Sequence, residues 1–319
     1  MQARFLRRLI FLVAAATLCL ACGGDARTSP LSGVSRIDRY DGSPPLGDMV
    51  WSPDGTRLAV NTQRPMRSHP QDKIFILDVA TGDLRLLLES NGIRDVEDWS
   101  PRGDEIAFSA SLDLQGIWVV KVDGSGEPRF VDDGFVAAWS PSGDEMAILG
   151  ATRHPETDQW VPSIWILDLA TGDRRLVLNQ DKSDGCSGLA WSPDGTRLAL
   201  VFSRTTGDTS PESDIFILNL TTGRLNRLTD GGYNLSPAWS PDGTLVAYDS
   251  FDAKGSHLMI ARVGGECTVE AISHISSNPA WSPDGRQIAF ALRDGIYIMD
   301  IATVLGEGFL ETGPVCPQE

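Results

Sequence analysis

The sequence predicts an all-β fold, a six-bladed β-propeller whose blades are four-stranded antiparallel sheets. The main observation is a repeat that begins with Trp-Ser-Pro at six positions: Trp51, Trp99, Trp139, Trp191, Trp239 and Trp281. The intervals are 48, 40, 52, 48 and 42 residues, which is the length of a propeller blade. In every copy an Ala stands eight residues after the Trp, and segments with strand-like alternation follow.

The segment after each Trp predicts a tight hairpin turn. It is Ser-Pro-Asp-Gly in four copies, Ser-Pro-Arg-Gly at Ser100 and Ser-Pro-Ser-Gly at Ser140. Pro presets one backbone angle, Asp or Ser can bond the nearby backbone, and Gly tolerates positive φ. The repeated acidic residues are therefore interpreted as turn formers. A calcium loop would need oxygen ligands spread over about a dozen residues, which none of these turns has. The repeated acidic residues are Asp54, Asp194, Asp242 and Asp284.

Each repeat continues with a third strand, such as residues 74–78 or 164–168, and a short outer strand, such as 84–88 or 174–178. A single four-stranded sheet cannot bury both of its faces, so six such sheets are expected to stack around an axis. The sixth repeat has only a weak outer-strand candidate at 309–312, whereas residues 35–40 resemble an outer strand. We therefore predict that the N-terminal strand completes the last blade and closes the ring, which removes an exposed sheet edge.

The six Trp-Ser-Pro-Asp-Gly-type repeats, each with a strand such as Ile106-Ala107-Phe108, resemble those of the TolB-like propellers (WD40-like repeats). Similar repeats occur in the propellers of prolyl-oligopeptidase-type peptidases. The resemblance covers residues 35–303 and implies the propeller fold. TolB also carries an α/β domain ahead of its propeller, for which this chain has only residues 23–34, so the resemblance does not imply membership of the Tol-Pal envelope system. No Gly-x-Ser-x-Gly elbow, Walker loop or dinucleotide fingerprint is present in the sequence.

The N-terminal residues predict export. Arg4, Arg7 and Arg8 precede an apolar run over residues 9–21, which is typical of a secretory signal and too short for a comfortable membrane span. Cys-Leu-Ala-Cys-Gly at 19–23 resembles a bacterial lipobox, which implies acylation of Cys22. A plain cleaved signal with a soluble product is the alternative. The predicted division is a lipoprotein signal peptide (1–21), an anchor and linker (22–34), the propeller (35–303) and a C-terminal tail (304–319).

Charge and cysteine content limit the partners. The whole chain has a net charge of −16, and without residues 1–21 it has 24 basic and 43 acidic residues, a net charge of −19. Nucleic acid is therefore excluded as a partner, and membrane contact is expected only through the lipid anchor. The cysteine spacing matches no zinc site. In an oxidising compartment we expect a disulfide between Cys267 and Cys316, with Cys186 as a buried or free thiol.

The lengths of the connections predict where binding occurs. The turn between the first and second strands is invariant, whereas the connection between the second and third strands varies widely, so we predict the binding site on the face that carries the variable connections. Several residues of types common at interfaces lie there. The candidate binding residues are Arg64, Met66, Arg67, His69, Arg153, His154, Trp160, Arg204 and Tyr233. The alternative is that these are ordinary solvated loops.

The predicted function is that of a cell-envelope lipoprotein that is not an enzyme. Its propeller is expected to bind an envelope protein or cell-wall component as a monomer, without cofactor. The alternative is a metal-dependent sugar lyase or hydrolase of the propeller type, because some propeller lyases bind a metal through histidines. The four histidines are expected on one face, and they are His69, His154, His257 and His274. No pair has short ligand spacing, so no metal site is predicted.

Overall fold

The computed structural model contains strands and one short helix in the part of the chain that it describes. The described residues are 32–40, 46–62, 72–111, 115–153, 156, 158, 160–179, 185–204, 212–253, 255–265, 268–273, 277–292, 294–306 and 309. The first strand is β1 (Val34–Arg36). Sheet 1 follows as β2 (Leu46–Trp51), β3 (Arg57–Thr62), β4 (Asp72–Asp78) and β5 (Leu84–Ser90). Sheet 2 consists of β6 (Ile93–Trp99), β7 (Glu105–Ala110), β8 (Gly116–Lys121) and β9 (Arg129–Asp132).

The remaining sheets repeat this order. Sheet 3 consists of β10 (Val136–Trp139), β11 (Glu145–Arg153), β12 (Trp160–Asp168) and β13 (Arg174–Asn179). Sheet 4 consists of β14 (Gly185–Trp191), β15 (Arg197–Arg204), β16 (Glu212–Asn219) and β17 (Leu225–Arg227). Sheet 5 consists of β18 (Tyr233–Trp239), β19 (Leu245–Asp252), β20 (Gly255–Arg262) and β21 (Thr268–Ser273). Sheet 6 contains β22 (Ser277–Trp281), β23 (Gln287–Leu292) and β24 (Gly295–Asp300), followed by α1 (Ile301–Leu305).

Each sheet is antiparallel and in chain order, which confirms the prediction of an all-β fold built from four-stranded antiparallel sheets. Sheets 4 and 5 also touch through a single parallel bridge between Ser213 and Tyr233. In sheet 6 the outer position is taken by β1, which pairs with β24 from Val34 opposite Met299 to Arg36 opposite Tyr297. The N-terminal strand therefore lies on the last sheet, as the sequence predicts.

The Trp-bearing strand of each sheet lies closest to its neighbours. β2 contacts β6, β6 contacts β10, and the series continues through β14, β18 and β22, which in turn contacts β2. We call these six strands the inner strands. Five of the repeated Trp side chains are buried between sheets, and Trp191 is half-buried. The indole of Trp239 donates to Ala190 O (3.2 Å) of sheet 4, and that of Trp51 donates to Ala280 O (3.0 Å) of sheet 6.

The turns after the Trp residues also pack sheet against sheet. A Cβ atom on Gly55 would lie 3.6 Å from Cδ of Pro283, the proline in the turn of sheet 6. The other turns repeat this contact with the proline of the preceding sheet: Gly103 with Pro53, Gly143 with Pro101, Gly195 with Pro141, Gly243 with Pro193 and Gly285 with Pro241. Gly55 has a φ of +69°, which a side chain would strain. The spacing of Pro and Gly thus serves both the turn and the packing between sheets.

The hydrophobic core is divided into clusters between neighbouring sheets. Leu46 and Leu58 of sheet 1 pack with Ile296 and Ile298 of sheet 6 in one of them. Successive side chains of a strand point to opposite faces, so each sheet contributes to two clusters. Cys186 is buried in the cluster between sheets 3 and 4, where it is a free thiol whose pKa is raised by burial.

Candidate functional site

The two ends of the sheets differ in how regular their connections are. Between the inner and second strands five residues intervene in every sheet, from 52–56 in sheet 1 to 282–286 in sheet 6. Between the second and third strands the connections differ in length: 63–71, 111–115, 154–159, 205–211, 253–254 and 293–294. We call the end with the five-residue turns the turn face and the opposite end the loop face. In antiparallel sheets the turn face also holds the connection to the outer strand, such as 79–83.

The side chains of the turn face serve the turns themselves. Ser52 Oγ donates to Asp54 Oδ1 (2.6 Å), and the same oxygen accepts bonds from Thr56 N (3.0 Å) and Thr56 Oγ1 (2.7 Å). These hydrogen bonds lower the pKa of Asp54 to about 2. Asp194, Asp242 and Asp284 each accept a bond from the serine of their own turn. The interpretation of the repeated Asp residues as turn formers agrees with these contacts.

On the loop face, two of the predicted binding residues lie against each other at the end of sheet 3. Arg153 and Trp160 are paired across β11 and β12, and the Arg153 guanidinium lies over the indole at 5.1 Å. Arg153 also contacts the Asp158 carboxylate (2.5 Å) and donates to Asp158 O (3.2 Å). Asp158 has a φ of +52°, an uncommon value for a residue other than glycine. The long hairpin thus presents an arginine stacked on a tryptophan and held by a carboxylate.

A pocket of about 290 Å³ opens beside the outer half of sheet 4. Its lining combines an aromatic pair with charged side chains: Phe202, Arg204, Glu212, Asp214, Phe216, Arg227, Asp230 and Gly231. The rings of Phe202 and Phe216 meet edge to face at 5.2 Å. Arg227 forms ion pairs with Asp214 (2.5 Å) and Asp230 (2.7 Å), whereas no acidic group of the described chain lies within ion-pair distance of Arg204. The pocket therefore offers one uncommitted guanidinium next to an apolar wall.

Tyr233 lies close to this pocket. Arg204 is paired with Glu212 across β15 and β16, and the next residue, Ser213, forms the bridge to Tyr233. The Tyr233 ring packs edge to face on Phe251 at 5.8 Å, and burial raises the pKa of its hydroxyl. The structure therefore brings Arg204 and Tyr233 into one neighbourhood, and Arg153 and Trp160 into another. It gives no contact between the two pairs within the described ranges.

Several predicted residues cannot be placed. Arg64, Met66, Arg67, His69 and His154 lie outside the described residues, as do His274, Cys22, Cys267 and Cys316. Their predicted roles in binding, acylation and disulfide formation remain predictions.

His257 is the one histidine that the structure describes, and its ring faces two carboxylates. Nε2 lies 3.1 Å from Asp252 Oδ1, and Nδ1 lies 3.2 Å from Glu270 Oε1. Burial opposes its protonation, but the two carboxylates outweigh burial and the pKa of His257 is raised. Because its two nitrogens contact different carboxylates, the His257 ring links β19, β20 and β21. The ring and the two carboxylates therefore do not surround a common metal ion. The described residues contain no cluster of three or more His, Cys, Asp or Glu that could hold a metal.

An acidic cluster on the inner strands of sheets 1 and 2 was not predicted. Asp48 Oδ2 accepts a bond from Asn61 Nδ2 (2.9 Å), and Asp48 is also hydrogen-bonded to Asp95. Glu97 accepts a bond from Ala137 N (3.3 Å) of sheet 3, and Asp98 accepts one from Trp139 N (2.7 Å). These two carboxylates satisfy backbone N–H groups on the free edge of the next inner strand. A comparison of the repeats reveals them, because 94–98 is Arg-Asp-Val-Glu-Asp where sheet 3 has the uncharged Gly-Phe-Val-Ala-Ala at 134–138.

Burial raises the pKa values of these acidic side chains. Burial raises the pKa of Asp98 to about 7. Burial and the nearby Asp95 raise the pKa of Glu97 to about 8, and they raise that of Asp48 well above its usual value. At neutral pH the Glu97 carboxyl is therefore mostly protonated, so that it can donate as well as accept a hydrogen bond.

A similar arrangement joins sheets 5 and 6. Asp249 is buried, and its Oδ2 accepts a bond from Asn278 N (2.7 Å). Ser236 Oγ contacts Asn278 Oδ1, and both Ser236 and Asn278 have positive φ at irregular points of their inner strands. Burial raises the pKa of Asp249 to about 7.

Comparison with known proteins supports the fold. No family model matches the chain. The Tol-Pal system protein TolB of Francisella tularensis is 30% identical over 216 residues, which are 66% of this chain and 47% of the relative. A putative TolB structure from Agrobacterium tumefaciens superposes with a TM-score of 0.61 at 19% identity, covering 84% of this chain and 96% of that one.

The chain is a TolB-like β-propeller. It spans about half the length of the TolB relatives that it matches by sequence. Dipeptidyl-peptidase 5 of Porphyromonas gingivalis is 40% identical over 76 residues, which are 22% of this chain and 11% of that protein. An oligogalacturonate lyase in complex with manganese superposes with a TM-score of 0.54 at 17% identity, covering 84% of this chain and 92% of the lyase. This TolB-like propeller thus shares its fold with TolB proteins and with a lyase, and the fold alone does not decide the function.

Within the described residues, no helix is long and apolar enough to cross a membrane.

Proposed function

We propose that this TolB-like propeller is a lipid-anchored binding protein of the cell envelope that holds its partner on the loop face. The observation that carries the proposal is the contrast between the two faces. The turn face repeats one five-residue turn, whose side chains bond within the turn. The loop face varies in length and carries Arg153, Trp160 and Arg204, residue types that often anchor interfaces. Rigid sheets with irregular loops at one end are a common arrangement for recognition.

The proposal includes a closed ring of six blades completed by β1. Three contacts between sheets 6 and 1 support closure: β22 against β2, the Trp51 indole with Ala280 O, and Gly55 with Pro283. Each repeats a contact type found between other neighbouring sheets. Closure by β1 would protect the outer edge of β24 from pairing with another chain.

The partner that fits the loop face is acidic or polar. The stacked Arg153 and Trp160 form a preorganised surface, since cation and ring already contact each other at 5.1 Å. Arg204 adds a guanidinium without an acidic partner in the described chain, beside the Phe202 and Phe216 rings. We include Arg64, Met66, Arg67, His69, His154 and Tyr233 in the proposed surface on the basis of their sequence positions.

In this proposal the protein is exported and anchored to the cell envelope, on its periplasmic or cell-surface side, through an acylated Cys22. The charged and apolar N-terminal residues and the sequence around Cys22 support export and anchoring. An envelope protein or a cell-wall component is the proposed partner, in keeping with the Tol-Pal system named for the TolB relatives.

Substitution of Arg153, Trp160 and Arg204 by Ala should reduce the material captured from a native envelope extract by about tenfold or more, the effect typical of removing interface anchors. Thermal unfolding should be little changed, because these side chains lie at strand ends. The matched control replaces Arg102 and Arg286, two exposed arginines of the turn face, by Ala. If the control loses capture and the loop-face variant keeps it, the site is on the other face.

The metal-dependent sugar lyase stays the second candidate because the manganese-bound lyase shares the fold. It would require a metal held by residues beyond those described, since His257 is engaged by Asp252 and Glu270. Stoichiometric Mn²⁺ or Zn²⁺ in the purified chain, lost when His69, His154 and His274 are replaced, would favour the lyase over the binding protein.

A further inference from the structure

The large hydrophobic side chains most exposed in the described chain occupy one repeated position. Leu86, Phe130 and Leu176 are 44%, 44% and 50% exposed. They lie on the outer strands of sheets 1, 2 and 3, opposite Phe75, Trp118 and Trp165 respectively. Single exposed hydrophobic residues are common on proteins and need no explanation. Here, however, three exposed hydrophobic residues share one register position in three consecutive sheets.

The other three sheets provide an internal comparison. The same register position holds Arg227 in sheet 4, Glu270 in sheet 5 and Arg36 in sheet 6, opposite Phe216, Met259 and Tyr297. There a charged side chain covers the large apolar residue below it. At this register position the rim of the propeller is therefore apolar in sheets 1–3 and charged in sheets 4–6.

An exposed arginine precedes each of the three exposed hydrophobic residues. Arg85, Arg129 and Arg175 occupy the preceding position in sheets 1, 2 and 3. Sheets 4, 5 and 6 have Asn226, Val269 and Ser35 there. Arg85 donates to Val122 O and Arg129 to Glu105, whereas Arg175 has no ion pair within the described residues. Arginine next to leucine or phenylalanine is suited to a lipid surface, where the apolar group enters and the guanidinium meets phosphate.

These residues lie toward the turn face. Each outer strand begins at the turn face, and Leu86 is the third residue of β5, Phe130 the second of β9 and Leu176 the third of β13. At about 3.3 Å per residue they are within about 10 Å of that end of their strands. The three side chains therefore lie at a similar distance from the turn face.

The N-terminal segment approaches from the same side. β1 is the outer strand of sheet 6, and Val34 at its start is paired with Met299, next to the end of β24 at the turn face. Only residues 23–33 separate Cys22 from Val34, and eleven residues extend to at most about 40 Å. A lipid chain on Cys22 would thus allow the turn face to reach the membrane, at the edge shared by sheets 6 and 1.

We propose that the rim of the turn face over sheets 1–3 rests on the lipid surface through Leu86, Phe130 and Leu176 and the arginines before them. The loop face then points away from the membrane, toward its partner. This inference rests on the proposed acylation of Cys22. A lipid surface fits better than a protein because the three side chains are not one patch: Phe75, below Leu86, packs on the cluster between sheets 6 and 1, and Trp118, below Phe130, on the cluster between sheets 1 and 2.

The test uses flotation of the unacylated mature chain, residues 23–319, with vesicles of equal parts phosphatidylethanolamine and phosphatidylcholine, which have no net charge that would repel the acidic chain. The wild-type chain should float with the vesicles. The variant with Leu86, Phe130 and Leu176 all replaced by Ser should show about tenfold less bound protein, since each exposed apolar group contributes to insertion. Its thermal unfolding should be unchanged, because these side chains are already exposed. The control variant, Asn226→Ser with Thr268→Ser on sheets 4 and 5, should bind as the wild type does.

Three results would overturn the inference: a wild-type chain that does not float, a triple variant that floats equally well, or a triple variant that loses a protein partner and not vesicle binding. Acylation is tested separately by labelled palmitate, which the full chain should incorporate and its Cys22→Ser variant should not. Absence of label with intact flotation would count against the anchor and not against the rim. Label without flotation would count against the rim alone.

Discussion

Replacement of Asp38 by Ala is expected to lower the free energy of unfolding by about 2–4 kcal/mol, because each buried donor that loses its acceptor costs about 1–3 kcal/mol. The Asp38 carboxylate has no exposed surface and contacts the Arg36 guanidinium at 3.1 Å. It also accepts bonds from Tyr40 N (2.8 Å) and from Ile296 N (2.5 Å) of β24. The variant would leave the N–H groups of Tyr40 and Ile296 without this acceptor at the point where the N-terminal strand joins the last sheet, whereas Arg36 keeps its bond to Tyr40 O. Denaturant unfolding followed by tryptophan fluorescence measures the change.

Asp83→Ala is the matched control for this prediction. Asp83 pairs with Arg39 at 3.5 Å, but both side chains are at least 70% exposed, and such pairs contribute at most about 1 kcal/mol. If β1 did not join sheet 6 in solution, Asp38 would be a loop residue and the two variants would lose similar stability. Equal losses would therefore contradict the attachment of the N-terminal strand.

The second large effect concerns pH. We expect stability to be greatest near pH 4–5 and to fall as the pH rises to 8. The pKa values of Asp98 and Asp249 are raised to about 7 by burial, whereas unfolded Asp titrates near 3.9. The folded chain therefore holds more protons than the unfolded chain between these values, and its stability falls as the pH rises through them. A pKa difference of about 3 corresponds to about 4 kcal/mol for each group.

Below pH 4 the turn face has the opposite effect. The pKa of Asp54 is lowered to about 2, so its contribution is present above pH 4 and is lost as the pH falls through 2. Denaturant unfolding at a series of pH values measures the profile. Asp98→Asn and Asp249→Asn should each flatten the slope between pH 5 and 8, whereas Asp123→Asn, at an exposed acid, should leave it unchanged. A wild-type profile that is flat or rises over this range would contradict the account.

The regular part of the molecule could be predicted because it repeats. Six copies of the Trp-Ser-Pro signature fix the turn, and the contact of Gly55 with Pro283 explains why the spacing within the turn does not vary. The sequence predicts outer strands at 84–88 and 174–178, and these ranges lie within the observed β5 and β13. Pattern reasoning succeeds here because local turn chemistry and packing between sheets require the same residues.

The parts that were missed depend on departures from the repeat. Glu97 and Asp98 interrupt an apolar inner strand, and their role appears only when Ala137 N and Trp139 N of the neighbouring sheet are placed beside them. The exposure of Leu86 was also not predicted. It stands out only when the charged residues at the same register position in other sheets are known. A bulge shifts the register of several outer strands, so sequence counting alone does not align them.

The candidate site was predicted as a set of residues on one face, and the structure adds their grouping. Arg153 and Trp160 were named separately, yet β11 and β12 extend far enough to pair them across the hairpin. The ion pair with Asp158 was not foreseen, and it reduces the charge that Arg153 offers to a partner. Arg204 has no ion pair within the described residues, so in the pocket beside sheet 4 one guanidinium stays available to a partner although three carboxylates also line the pocket.

The central claim is that the partner binds the loop face, and site-specific photo-cross-linking in intact cells tests it most directly. A benzophenone amino acid is placed at Trp160 on the loop face or at Ser142 on the turn face, two positions at opposite ends of sheet 3. Cross-linked partner should form from position 160 and not from position 142. Cross-links from position 142 alone would contradict the account.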